Sequence, residues 1–361
     1  VPTRFMLTRP RRPSPSRPGS RWPVALLSAA LLSATLGCAT PATPEPTWSD
    51  AFLAAMRLPD TQAEPEVAAL AERAPNREQA RDARFELARF ALRRGDVALA
   101  EERFEALWAE GIEDHITSRA LYESARIELE HHQRRAEAIA LLHRAIAQTA
   151  PWAGTELALD FLKKIERQAG NQQTLIDDLS RIAAELENAR LKAQLHLTIG
   201  ELHHADLQDD EGALKAYRRA AKSCEDCSAA DEAIWRMAEI YSAYQNFDAA
   251  TRTLSVVAER TDTSWFVGSY NSHRAADARF ELGRIHMLFL EDYEQARDHF
   301  ERFIDTFPHA MRRDQAEWHL VEITRLTESE RAYRRALRRF SDDFPESRLA
   351  DEAHRRLEQR S

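Results

Sequence analysis

Glycine, cysteine and alternating β-branched runs are scarce in this sequence. Of its 361 residues only 10 are Gly and 3 are Cys, and Val and Thr nowhere alternate with polar residues over a strand's length. Without a two-residue period there is no signature of a half-buried sheet. A Gly-rich phosphate loop, a Gly-x-Ser-x-Gly elbow and a His-Glu-x-x-His pair are all missing, so no enzyme class gains positive support. The apolar run from Trp22 to Gly37 has 16 residues, short of the ~20 that a membrane-spanning helix requires. What dominates is Ala, Leu, Glu and Arg, the vocabulary of helices. The fold class expected is all-α.

The N-terminal stretch has a different character. Arg9, Arg11, Arg12, Arg17 and Arg21 form a basic leader without an acid, followed by the short apolar run and then Thr35-Leu36-Gly37-Cys38. A charged leader, a short apolar core and a small residue before the cut make a bacterial export signal. Its ending resembles a lipobox, the motif at which a Cys receives lipid and becomes the mature N-terminus. That resemblance implies a lipoprotein signal peptide over 1–37 and lipidation at Cys38. The alternative is a soluble export signal whose Cys plays no part. Ala39 to Thr47, with Pro41, Pro44 and Pro46, is a Pro-rich tether. Ala39, rather than Asp, after the Cys implies the outer membrane by the same resemblance. The six Arg before Cys38 leave 44 bases against 59 acids, a net −15 compared with −9 for the whole chain. So acidic a body argues against nucleic acid and against an electrostatic grip on anionic lipid.

Beyond the tether the chain repeats. An aromatic or apolar residue, two positions before another apolar one and three before a small one, recurs at Phe85, Tyr122, Leu159, Leu197, Trp235, Phe280 and Trp318. The steps are 37, 37, 38, 38, 45 and 38 residues. A second helix follows each, marked by Ala with apolar residues four and seven on: Ala100, Ala138, Ala213, Ala250 and Ala296 begin it. The unit is clearest from Asp277 to Pro308, where Gly283 and Ala296 permit close approach and Pro308 stops the second helix. The unit from Leu159 to Ile182 is the most degenerate. Trp48, Phe52, Leu53 and Met56 place N-terminal capping helices over 48–74, and Arg355, at an aromatic position, gives the final helix a polar outer face.

The Leu282-Gly283 pair with Ala296, Phe300 and the closing Pro308 resembles the tetratricopeptide repeat, TPR. The resemblance implies a right-handed TPR superhelix, an α-solenoid of about seven helical pairs with capping helices, over 75–361. A narrower one lies in Phe303 to Trp318 and its echo at Phe340 to Ala353. These resemble envelope TPR proteins of the outer-membrane barrel-assembly lipoprotein and Tol–Pal coordinator type. It implies a periplasm-facing, lipid-anchored scaffold, a monomer within a complex, binding envelope protein or peptide partners without cofactor, metal or reaction. The alternatives are a structural oligomer or cell-wall spacer without a groove ligand, and a redox protein using Cys224 and Cys227.

Several residues are candidates for function. The ladder Phe85, Trp235, Phe280 and Trp318, ringed by Arg89, Glu239, Arg284 and Glu322, reads as a partner-binding groove of aromatic anchors in a charged rim. The competing reading is that the rings pack between adjacent first helices. Trp265, Phe266 and Tyr270, in the insert behind the 45-residue step, either fold into that groove or form an interaction loop. Cys224 and Cys227 are expected to form a small-loop disulfide, with a redox pair and a zinc half-site as alternatives. His196, His203, His204 and Asp206 can be drawn as a metal cluster, but adjacent helical residues point about 100° apart, which favours structural histidines. Arg331, Arg334, Arg335, Arg338 and Arg339 form a basic stripe, either a solvated face or a surface for an acidic partner.

Overall fold

The computed structural model describes residues 46–148, 153–261 and 272–359. The leader, Cys38, most of the tether, Pro151 and the loop residues Trp265, Phe266 and Tyr270 lie outside the described residues. All regular structure among those described is helical. Two helices open the array, α1 (Trp48–Ala55) and α2 (Asp60–Glu72). Seven pairs follow. They are α3 (Arg77–Arg93) with α4 (Val97–Ala109), α5 (His115–Glu130) with α6 (Arg135–Ile146), and α7 (Ala153–Ala169) with α8 (Gln172–Glu185). Next come α9 (Ala189–Glu201) with α10 (Asp210–Ser223), and α11 (Ser228–Ala243) with α12 (Phe247–Ala258). The last are α13 (Ala275–Leu288) with α14 (Tyr293–Thr306) and α15 (Arg313–Thr327) with α16 (Glu330–Asp343), before a closing α17 (Arg348–Glu358). Each pair packs on its neighbours in sequence, which makes this an α-solenoid.

Local chemistry sets the hairpins. Before α4, α10, α12 and α14 stands one residue of positive φ, Gly95, Gln208, Gln245 or Glu291. Directly after it come Asp96, Asp209, Asn246 and Asp292, each of which accepts a hydrogen bond from an N–H in the first turn of its helix. The left-handed residue reverses the chain and the cap starts the next helix, so each turn is short.

The helices of a pair touch through small residues. Ala100, Ala138, Ala213, Ala250 and Ala296 are all fully buried. Gly200 faces Tyr217 so closely that a Cβ there would stand 2.3 Å from the ring, and one on Gly283 would stand 2.8 Å from the Phe300 ring. Phe300 and Tyr217 are themselves buried, so the hairpins of α9/α10 and α13/α14 close on glycine by necessity.

The degenerate third pair is also the loosest. α7 lies mainly against α5 and α6 and barely touches α8, whose main neighbour is α9. A π-helical turn, Leu202–Asp206, extends α9, a feature the period does not reveal.

One buried charge organises the first joint. Arg81 is 1% exposed and its Nε donates to Asp114 Oδ2 at 2.8 Å, with Nη2 donating to Thr117 Oγ1 at 2.8 Å and Nη1 to the Leu107 carbonyl at 3.2 Å. Glu110 completes the set. Burial alone would raise the Asp114 pKa, but the hydrogen bonds from Arg81 and the Thr117 N–H outweigh it and hold the carboxyl below its ordinary value.

Candidate functional site

The aromatic ladder is for the most part not a groove. Phe85, Phe280 and Trp318 are 1%, 2% and 9% exposed, so these three are core, and the expectation of a continuous binding ladder is corrected. The reason is a joint repeated along the array. Arg119 stacks over the Phe85 ring at 4.2 Å, Arg274 over Trp235 at 5.0 Å, Arg312 over Phe280 at 4.5 Å and Arg356 over Trp318 at 5.0 Å. Each Arg comes from the following first helix or the residue just before it. An acid beside each ring holds the same Arg: Glu86 at 3.8 Å, Glu232 at 2.7 Å, Asp277 at 2.5 Å, and Glu322. Cation, ring and carboxylate together fasten one pair to the next. The spacing from ring to Arg runs 34, 39, 32 and 38 residues, which does not follow the period of the repeat.

Two of the predicted rim charges go with the core rings. Arg89 pairs with Glu86 at 3.0 Å on its own helix, and Glu322 pairs with Arg325 at 2.8 Å as well as with Arg356.

The remaining three predicted residues, Trp235, Glu239 and Arg284, do converge. Between α11 and α13 lie two adjoining hollows of about 330 and 470 Å³ that share Ser242 and Glu281. Trp235, Ala238 and Leu254 floor the first, and Ile285, Phe247 and Phe289 line the second. Phe247 and Phe289 stack at 4.3 Å with their planes 13° apart, and Phe289 remains 52% exposed. Glu239 and Glu281 stand at the edges, each held by an Arg three residues away, Arg236 at 2.9 Å and Arg284 at 2.9 Å. Ser242, Phe247, Glu281 and Phe289 were not legible as site residues. The sign of them in the sequence is the 45-residue step that separates Trp235 from Phe280. Chemically the groove offers an apolar floor, stacked rings and fixed charges of both signs, which suits an extended polypeptide with an apolar side chain to bury.

Cys224 and Cys227 are free thiols, so the expected disulfide is not formed in this structure. Cys227 Sγ instead donates to the Cys224 carbonyl at 3.4 Å. His203 Nδ1 lies 2.9 Å from Asp209 and His204 Nδ1 lies 2.5 Å from Asp210, so the neighbouring rings take separate carboxylates. Among the described residues no three His, Cys, Asp or Glu side chains are grouped to hold a metal ion. On α16, Tyr333, Leu337 and Phe340 are buried, whereas Arg331, Arg335, Arg338 and Arg339 are exposed. Arg339 pairs with Asp343 at 3.3 Å, and Glu328 pairs not with this stripe but with Arg297.

Residues 277–310 match the family described as tetratricopeptide repeat. No curated protein matches the sequence. Similar solved structures include the C-terminal part of a TPR repeat-containing protein from Cytophaga hutchinsonii, at 12% identity over 74% of this chain and 98% of that one, with a TM-score of 0.44. Pseudomonas aeruginosa PilF is 13% identical over 66% of this chain and 96% of its own, TM-score 0.35. A signal-transduction ATPase with a tetratricopeptide repeat sensor, from Pyrococcus horikoshii, is 13% identical over 83% of this chain and 46% of its own, TM-score 0.46.

Proposed function

We propose that this chain is a non-enzymatic scaffold, of TPR type, that binds an extended segment of a partner protein in the groove between α11 and α13. The observation that carries this reading is the pair of adjoining hollows with Trp235 at one end and the Phe247–Phe289 stack at the other. Exposed aromatic area in a concave setting, edged by charge, is what a protein–protein hot spot requires. The location we propose is the bacterial envelope, with the solenoid anchored in the outer membrane through lipidated Cys38 and facing the periplasm. Its support is the basic leader, the short apolar run and Gly37-Cys38, and the partner is then an envelope protein in outer-membrane assembly or maintenance.

Two measurements separate the two halves of the proposal. A photo-crosslinking residue at Ser242, in intact envelopes, is expected to yield a discrete adduct that the same residue at Glu294 on α14 does not. Equal adduct patterns at both positions overturn the groove. Acyl label is expected to enter the wild type and not Cys38→Ser, and an unlabelled wild type overturns the anchor.

A further inference from the structure

A hollow of about 450 Å³ lies between α4 and α6, with Trp108 and Leu141 as its apolar wall. Trp108 is fixed there because its Nε1 donates to Ser124 Oγ at 3.2 Å. Four carboxylates edge the hollow, Glu101, Glu105, Glu128 and Glu137, against one arginine, Arg134. Arg134 donates to Glu128 at 2.9 Å, and His132 pairs with Glu101. Glu105 on α4 and Glu137 on α6 are exposed and have no such partner among the described residues. The opposite sign collects on α16. Arg331, Arg335 and Arg338 are exposed there, and none makes an ion pair or a side-chain hydrogen bond to another described residue. Offsets of four and three residues set them on one face, along about 10.5 Å of the helix. Tyr333, Leu337 and Phe340 bury the other face, so the stripe points outward.

We propose that the Arg331, Arg335 and Arg338 face of α16 docks across the α4–α6 hollow of a second copy of this chain. This contact is separate from the α11–α13 groove and does not rest on it. Length and chemistry both match. Neighbouring helices stand about 10 Å apart, so a stripe of that length laid across the hollow brings one guanidinium to Glu105 and another to Glu137. The long Arg stems cover Trp108 and Leu141 while their planar heads meet the carboxylates. Charge selects the contact, because the chain carries a net −9 and its copies repel one another except where a basic face meets an acidic one. The occupant is also always present at the concentration of the hollow itself. The two surfaces do not meet within one chain. α16 belongs to the seventh pair and α4 and α6 to the first two, and each pair packs on its neighbours in sequence. After one contact each copy still has one surface free, so copies add head to tail.

The test is sedimentation of the full chain in a Cys38→Ser background, where no lipid contributes, at up to about 100 μM. At low salt the average mass is expected to rise with concentration, and at about 0.5 M salt to return to that of one copy. A first variant carries Arg331→Glu, Arg335→Glu and Arg338→Glu, and a second carries Glu105→Arg and Glu137→Arg. Each alone should weaken self-association at least about tenfold, with helical signal unchanged because all five side chains are exposed. Arg331→Gln with Arg335→Gln and Arg338→Gln should weaken it too, which keeps the comparison open if the first reversal fails to fold. An equimolar mixture of the two reversals restores opposite charges at both contacts and should associate as the wild type does. A wild-type chain that stays single at every concentration overturns the proposal. Association that survives in the first variant also overturns it, and assigns the hollow to another basic segment such as the leader. A mixture that stays single while the wild type associates overturns the pairing of these two surfaces.

Discussion

Each of the four ladder rings meets a cation from the next pair, so what separates the free ring from the covered ones is the packing on its other side. At Phe280 the result is a closed contact. The Phe300 and Phe303 rings lie 5.6 and 5.5 Å away, and Arg312 covers a face. Truncating such a residue removes packing and leaves a cavity, at about 3–5 kcal/mol. Trp235 has the same Arg partner in Arg274, but its other side borders the hollow with Glu239 and Ser242. Trp235→Ala is therefore expected to lower stability by only about 1–2 kcal/mol, while abolishing the partner adduct at Ser242. Phe280→Ala should show the larger fall. Chemical denaturation of both variants, with adduct yield as the second readout, checks the contrast. Equal stability losses place Trp235 in the core with the other three rings.

At the scale of the helix, glycine is where sequence and packing disagree about stability. Ala is a better helix former than Gly by roughly 1 kcal/mol, so propensity alone favours Gly200→Ala and Gly283→Ala. The rings opposite forbid it. A Cβ at either position meets Tyr217 or Phe300 well inside contact distance, and both rings are buried without room to retreat. Overpacking costs about 1–3 kcal/mol, so both variants should lose stability, and Gly200→Ala more than Gly283→Ala because its approach is closer. A rise in melting temperature for Gly200→Ala contradicts the packing assigned to this hairpin. Gly283 was legible from the repeat alone, as were the seven first-helix positions from Phe85 to Trp318, because periodicity records which residues face a neighbour. The cation joints were not, since Arg274 and Arg312 stand just before the following helix whereas Arg119 and Arg356 lie within it. The groove was half legible. Trp235, Glu239 and Arg284 stood out by pattern, but whether a ring is covered depends on how far apart α11 and α13 stand, and spacing in sequence does not report that.

Across the whole array, contacts run between neighbours, so a local weakness stays local. Acid supplies one. His286, His299 and His319 sit on α13, α14 and α15, and the His286 and His299 rings lie 5.3 Å apart. Burial, with the nearby His286 and Arg279 adding repulsion, lowers the His299 pKa to about 4, and burial with Arg284 does the same for His319. Burial also lowers His286, against a partial pull from Asp292. Asp298 and Glu322 oppose the shifts at His299 and His319 without reversing them. The folded state holds these rings neutral, whereas an unfolded His takes a proton near pH 6.5. Between those values the unfolded chain binds more protons, so the stability from these rings is complete above about pH 6.5 and is lost as pH falls toward 4. His143 on α6 and His196 on α9 shift in the same direction, but less. The solenoid should therefore open first at α13–α15 on acidification. Hydrogen exchange at pH 7 and pH 5, corrected for intrinsic rates, is expected to show protection falling there before it falls at α3–α6. His299→Gln with His319→Gln should flatten that response while leaving the N-terminal pairs as they were. A loss of protection spread evenly along the chain, or one that the double variant does not alter, refutes this account of the acid sensitivity.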